Sequence, residues 1–203
     1  GIYHAQWKRR SEFFSLLSFS SLSKQFQDSV SQLKDKNNQL VFLGDLNADQ
    51  YLKFIVEELK PFVDSSFSTY SDAAHTFIAG SSMGGLISLY ALCEYPNVFG
   101  GAACLSTHWT GAAFYVIKEV SNAILLYYEK QLPISKNHKI YFDYGSVGLD
   151  SLYKPYQIKM DEIMYSKKYD EKHWITKEFL GDGHDEKARR GRLNIPFEFL
   201  LKP

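Results

Sequence analysis

The stretch that decides the fold is residues 77–96, FIAGSSMGGLISLYALCEYP, where a short apolar run meets two serines and three glycines before a longer apolar segment. The run HTFIAG, which overlaps its start, predicts a buried strand. The segment GGLISLYALCEYP predicts a helix that ends at the proline, because its apolar residues recur at helical spacing. The positions expected to face inward are Leu86, Leu89, Tyr90 and Cys93.

Residues 80–84 read Gly-Ser-Ser-Met-Gly, the pattern G-x-S-x-G, at the junction of this strand and helix. In that context the pattern predicts a sharp turn that holds its central residue, Ser82, in a strained conformation with the hydroxyl clear of the sheet. We expect glycine at positions 80 and 84 because neighbours come too close there for a Cβ, and Gly85 to let the helix pack tightly. The Met83 N–H then points the same way as the Ser82 hydroxyl and is the predicted donor to an oxyanion.

The rest of the chain alternates strand-like and helix-like segments. The later predicted strands are GGAACLSTHW, KIYFDYG and HWITKEFLG, and the predicted helices include NADQYLKFIVEELKPFVDSSF and DEKARRGRLNIPFEFLL. We expect Asp49 to cap the first of these helices, Pro61 to perturb its end, and Pro196 to break the last. Strands that are apolar on both faces and alternate with helices indicate an α/β fold, a mostly parallel sheet with helices on both faces. Sites in such sheets form at the carboxyl ends of the strands.

A serine nucleophile needs a base, and in this fold the base follows the last strand. His184 lies there, in the Gly-rich loop of EFLGDGHDEKARRGRL before the final helix. The other five histidines fit this role less well. One of them, His108, follows a strand, and we expect it to line the pocket.

The base needs an orienting acid, which in this fold follows the strand before the last one. The segment KIYFDYGSVGLDSLY offers Asp143, inside the apolar run, and Asp150, in the loop beyond the strand. We favour Asp150, because its loop position lets the side chain reach the base. Asp182 and Asp185 flank the histidine in sequence and are expected to act as loop caps.

Composition excludes several classes of function. The 23 basic and 23 acidic residues cancel, so nothing indicates nucleic-acid binding. No apolar run is long enough to span a bilayer. The two cysteines, Cys93 and Cys104, are expected to be buried thiols without metal-ligand spacing, and the predicted chemistry needs neither metal nor cofactor.

The run GSSMGGLISLYALCEYPNVFGGAACLSTHW resembles the putative esterase family of α/β-hydrolases, which includes esterase D, enterobactin-type trilactone esterases, feruloyl esterases and mycolyltransferases. YFDYGSVGLDSLYKPYQ is similar to the family's acid loop, and GDGHDEKARRGRL to its histidine loop. The similarity covers roughly residues 45–200. It implies an α/β-hydrolase fold and a triad of Ser82, Asp150 and His184, the same set that spacing predicts.

The resemblance also implies differences. Relatives carry further strands before the segment that resembles GIYHAQWKRRSEFF, so we expect residues 1–203 to be a single domain lacking N-terminal strands, with the second oxyanion donor among the missing residues. Residues 11–40, rich in serine, are expected to form an irregular excursion or flap. The family's histidine loop usually carries a tryptophan, and Ala188 stands near that position.

Three further residues are candidates for substrate binding. Trp109 is expected to overhang the serine and hold an apolar acyl or aryl group, the alternative being a core tryptophan. Arg9 or Arg10 is expected to hold a carboxylate or polar leaving group, the alternative being a solvated arginine. The predicted function is a serine carboxylesterase acting on a small-molecule ester through an acyl-enzyme. An acyltransferase with the same triad and a non-catalytic binding module remain the alternatives.

Overall fold

The computed structural model describes residues 48–111, 116, 118–134 and 137–202, with isolated positions 32, 34 and 38. The predicted flap at 11–40 lies outside the described residues except for those three positions, and Arg9 and Arg10 lie wholly outside them.

Four strands form a parallel sheet in the order in which they occur along the chain. They are β1 (Phe77–Ser81), β2 (Gly101–Leu105), β3 (Lys139–Gly145) and β4 (Trp174–Phe179). The central strands β2 and β3 are almost completely buried, which explains why their sequences are continuously apolar rather than alternating. The predicted parallel sheet is confirmed.

Seven α-helices accompany the strands in the part of the chain that is described. They are α1 (Ala48–Phe54), α2 (Lys60–Ser66), α3 (Met83–Glu94), α4 (Lys118–Gln131), α5 (Lys154–Ser166), α6 (Glu186–Arg192) and α7 (Asn194–Leu201). Helices α3, α4 and α5 connect successive strands and share one large apolar cluster with the sheet.

Helix α7 packs on the opposite face of the sheet. Its Leu200 joins a second cluster with Leu105 and Tyr141, whereas Cys104 and Phe142, their neighbours along β2 and β3, belong to the first. This alternation follows from the pleat, which points successive side chains to opposite faces. Helices therefore cover both faces of the sheet, as predicted.

The helix that contains Pro61 continues past the proline instead of weakening there. Residues Ile55–Leu59 form a π-helical segment, in which the Lys60 N–H donates to the Ile55 carbonyl, and α2 then begins. Proline lacks the N–H of an α-helical bond and its ring collides with the carbonyl four residues back. The wider π turn precedes Pro61, and the proline occupies the first turn of α2, where it is tolerated.

Two smaller expectations about helix ends are wrong. Asp49 lies inside the first turn of α1, not before it, and accepts a hydrogen bond from the Tyr90 hydroxyl on α3. Pro196 lies inside α7, and the break between α6 and α7 falls at Leu193. Proline fits the first turn of a helix because its N–H would have no intrahelical partner there.

Candidate active site

Ser82 occupies a strained turn between β1 and α3. Its backbone dihedrals are φ 59° and ψ −120°, a region that L-residues rarely adopt. The turn is so tight that a Cβ on Gly80 would lie 2.3 Å from the carbonyl oxygen of Gly84. The Ser82 N–H donates to the Leu105 carbonyl at 2.8 Å and anchors the turn to the end of β2.

Gly84, the second glycine of the motif, and Gly85, which follows it, differ in their roles. A Cβ on Gly84 would meet no described atom within 4 Å apart from its own helix, so the expected steric reason for glycine at 84 is wrong. What matters is the backbone of Gly84, against which Gly80 packs. A Cβ on Gly85 would lie 3.1 Å from the Thr107 hydroxyl oxygen, in agreement with close packing of α3 on the end of β2.

Three side chains meet above the carboxyl ends of the strands. Ser82 Oγ lies 2.8 Å from His184 Nε2, and His184 Nδ1 lies 2.6 Å from Asp150 Oδ1. An ionised carboxylate only accepts hydrogen bonds, so the imidazole proton sits on Nδ1 and Nε2 keeps its lone pair for the Ser82 hydroxyl. The arrangement therefore has the connectivity of nucleophile, base and orienting acid.

Asp150 is fully buried and is held by several donors. Its second oxygen, Oδ2, accepts from the Ser106 hydroxyl at 2.7 Å and from the Gly145 N–H at 2.7 Å. Burial by itself would raise the pKa of Asp150, but the hydrogen bonds from His184, Ser106 and Gly145 bring that pKa below its ordinary value. The carboxylate therefore stays ionised beside the imidazole at neutral pH.

The other aspartates lie elsewhere. Asp143, the alternative acid, accepts from Arg192 Nη2 at 3.0 Å and from the Tyr141 hydroxyl at 3.2 Å. Asp185 accepts from the Ala188 N–H and caps α6, as expected for a loop cap. The structure thus brings Asp150, and not Asp143, to the histidine.

Met83 is the first residue of α3. Its N–H therefore has no carbonyl one turn earlier in the helix, and it lies at the positive end of the helix dipole. This position, next to the Ser82 hydroxyl, suits a donor to an oxyanion.

Trp109 does not overhang the serine. Only 1% of it is exposed, its ring contacts Tyr128 and Phe142, and its indole N–H donates to Gln157 Oε1 at 3.0 Å. The expectation of an aromatic pocket wall at this position is corrected to a core tryptophan. The chain that follows β2 turns back into the core after His108.

His108 lies beside the hydrogen-bonded Ser82, His184 and Asp150 side chains. Its ring centroid is 6.1 Å from that of His184, and its Nδ1 is 2.6 Å from the hydroxyl of Tyr153. The Tyr153 ring itself stands edge-on to His184 at 5.7 Å. Both aromatic groups are buried, so they form the packed surroundings of the imidazole.

The sequence patterns do not predict two further residues of the site. Ser106 directly follows β2, within the run LSTHW, and its position just beyond the carboxyl end of a strand is a signal that could have identified it. Arg192 lies in the run ARRGR, where nothing in the sequence separates a buried arginine from exposed ones. Across the described ranges, no three His, Cys, Asp or Glu side chains are grouped so as to hold a metal ion, and no helix is long and apolar enough to cross a membrane.

Comparison with known proteins agrees with this geometry. The profile of the family described as "Putative esterase" matches residues 28–172, most of the chain. Uncharacterized protein YjcH of Bacillus subtilis (strain 168) is 33% identical over 100 residues, which cover 49% of this chain and 37% of that protein.

Among solved structures, enterochelin esterase from Shigella flexneri is similar, with a TM-score of 0.59 and 21% identity over 75% of this chain and 37% of its own. An IroE-like serine hydrolase from Shewanella oneidensis has a TM-score of 0.57 and 16% identity over 81% of this chain and 50% of its own. The chain thus spans half or less of the length of these relatives. The structural likeness shows the α/β-hydrolase fold.

Proposed function

The chain belongs to the putative esterase family, and from that premise we propose that it is a serine hydrolase that cleaves small-molecule carboxylic esters through an acyl-enzyme. The observation that carries this proposal is the unbroken hydrogen-bond chain from Ser82 through His184 to Asp150, built on a strained strand–helix turn. Similar structures named ferulic acid esterase and enterochelin esterase support the same class of reaction.

In the proposed reaction, His184 Nε2 takes the proton of the Ser82 hydroxyl as the oxygen attacks the ester carbonyl. The Met83 N–H donates to the oxyanion that forms, aided by the N-terminal end of α3. The imidazolium gives its proton to the leaving alcohol, and Asp150 stabilises the positive charge on the ring in the meantime. Water then hydrolyses the acyl-enzyme by the same sequence of proton transfers.

The test is turnover of p-nitrophenyl acetate and butyrate by the wild type, Ser82→Ala and Ser81→Ala. Ser81 is the matched control, because it is the adjacent serine and lies at the end of β1. We expect Ser82→Ala to lose roughly 10⁴-fold or more of kcat, as removal of a serine nucleophile does, while Ser81→Ala keeps wild-type turnover. Undiminished turnover by Ser82→Ala would exclude the proposed nucleophile.

A fluorophosphonate probe gives an independent answer. We expect stoichiometric labelling that disappears in Ser82→Ala, with the adduct located on the peptide that carries Ser82. A wild-type protein that neither labels nor turns over esters would favour the alternative of a non-catalytic binding module.

A further inference from the structure

A buried arginine lies behind the proposed triad, on the side of Asp150 away from His184's ring nitrogen. Arg192, only 2% exposed, donates from Nη2 to Ser106 Oγ and to Asp143 Oδ1, each at 3.0 Å, and from Nη1 to Asp182 Oδ2 at 2.8 Å. We call Arg192 with these three partners the Arg192 cluster. It joins α6, the end of β2, the middle of β3 and the histidine loop.

The direction of the hydrogen bonds in the cluster determines what Ser106 does. A guanidinium can only donate, so Ser106 Oγ accepts from Arg192. The hydroxyl proton of Ser106 is thereby left to point at Asp150 Oδ2, 2.7 Å away. Arg192 therefore fixes the orientation in which Ser106 supports the carboxylate.

The backbone of Ser106 is fixed as firmly as its side chain. Its φ is +44°, in the left-handed region that a non-glycine residue rarely adopts. Its N–H donates to both the carbonyl and the Oδ1 of Asp143, at 2.9 and 3.1 Å. Strain of this kind persists only where the surroundings over-determine it, and here the contacts of the Arg192 cluster do so.

We propose that Ser106 and Arg192 are positioning residues of the active site: Arg192 orients the Ser106 hydroxyl, and Ser106 holds Asp150 in place against His184. This inference rests on the proposed function for its kinetic consequences, and on the geometry alone for its spectroscopic one. Neither residue touches the nucleophile, so neither is itself catalytic.

The charged groups around Asp150 give the inference a distinctive readout. His184 faces one carboxylate oxygen, while Arg192 Nη2 lies 4.0 Å from the other, with Asp143 beyond it. The proposed reaction needs the Asp150 carboxylate in its ionised form, so protonation of Asp150 contributes to the acidic limb of a plot of kcat/KM against pH. The hydrogen bond from Ser106 lowers the pKa of Asp150, and its removal should move that limb to higher pH.

The first experiment compares Ser106→Ala with Ser88→Ala. Ser88 is an equally buried serine whose hydroxyl donates to the Gly84 carbonyl, so its loss controls for the removal of a buried hydrogen bond. We expect Ser106→Ala to lower kcat roughly 10- to 100-fold with KM little changed, the range for one hydrogen bond to a charged group. We also expect its acidic limb to move to higher pH. A loss of thermal stability with kcat and the limb unchanged would overturn the proposal.

The second experiment asks whether Arg192 acts through Ser106. Arg192→Lys keeps a cation but loses the planar fork that bonds several acceptors, and Arg190→Lys, on the exposed side of the same helix, is the matched control. We expect Arg192→Lys to lower kcat in the wild type but to add little in Ser106→Ala. Equal losses in both backgrounds would overturn the proposed route.

A proton NMR measurement separates this inference from the proposed function. The proton between His184 Nδ1 and Asp150 should give a low-field resonance that shifts in Ser106→Ala and stays in place in Ser88→Ala. This signal needs no turnover, so an inactive wild type that shows the shift would refute the esterase proposal alone. An unmoved resonance in Ser106→Ala would overturn the positioning role.

Discussion

Gly80→Ala is the sharpest test of how this fold presents its nucleophile. The added Cβ would lie 2.3 Å from the Gly84 carbonyl oxygen, 2.4 Å from its carbonyl carbon and 2.8 Å from its Cα. All three atoms are backbone, so no side-chain rotation relieves the collision. The end of β1 and the start of α3 must move apart.

The size of that movement can be worked out from these contacts. Ordinary van der Waals separation requires the two segments to part by about 1 Å. Ser82 lies between them, so its hydroxyl moves relative to His184 by a similar distance. A misplacement of about 1 Å can reduce turnover by roughly 10²-fold, and overpacking of this kind destabilises a protein by about 1–3 kcal/mol.

The assay is p-nitrophenyl butyrate turnover with urea unfolding in parallel, and Gly84→Ala is the control. A Cβ on Gly84 would meet no described atom beyond its own helix, and alanine favours a helix over glycine by up to about 1 kcal/mol. We expect Gly84→Ala to be as stable as the wild type or more so, with turnover close to normal. Wild-type turnover in Gly80→Ala, or equal losses in both variants, would refute the steric account of the turn.

Three further outcomes follow from buried and half-buried groups. Trp109→Phe leaves the Gln157 acceptor without its buried donor and should destabilise the protein by about 1–3 kcal/mol, while KM stays unchanged. A raised KM would instead indicate that Trp109 lines the substrate pocket. Burial raises the pKa of Asp161 despite its two hydrogen bonds, so ionisation of this carboxyl costs stability as pH rises. Asp161→Asn should therefore raise the urea midpoint at pH 7, with a gain that shrinks towards pH ~4; a gain independent of pH would contradict this reasoning. Cys93 and Cys104 are buried, and burial raises the pKa of both thiols. A disulfide reagent should therefore react with neither thiol in the native protein and with both in urea.

The parallel sheet could be predicted because its signal is local and repeated. The central strands β2 and β3 are mostly apolar and buried on both faces, and each connection between strands contains a helical pattern. The course of the chain at Pro61 could not be predicted in the same way. Whether a helix ends at a proline or widens into a π turn depends on the tertiary packing of both halves.

The residues of the proposed triad could be predicted from the sequence for a topological reason. In a parallel sheet with sequential strands, the residues that follow each strand converge at one edge, so chain order alone restricts which acid and base can meet the serine. The position of Trp109 could not be predicted, because its distance from the strand end does not determine whether the chain continues over the site or turns inward. Its bond to Gln157 joins residues 48 positions apart, beyond any local pattern.

The Arg192 cluster shows that residues far from the G-x-S-x-G motif also determine the geometry of the proposed active site. A carboxylate that must stay ionised beside an imidazole in the protein interior needs several donors, since an unsupported buried charge is unstable. Asp150 receives them from three strand ends: the N–H of Gly145, the last residue of β3, the Ser106 hydroxyl after β2 and His184 after β4. The Ser106 donor is in turn oriented by an arginine 86 residues further along the chain. Removal of one member of a buried ionic group typically destabilises a protein by about 3–5 kcal/mol, so these residues must be present together. The position of Asp150, the acid of the proposed triad, thus depends on the packing of α6 against the sheet. Substitutions on the face of α6 that carries Arg192 should therefore affect kcat as well as stability.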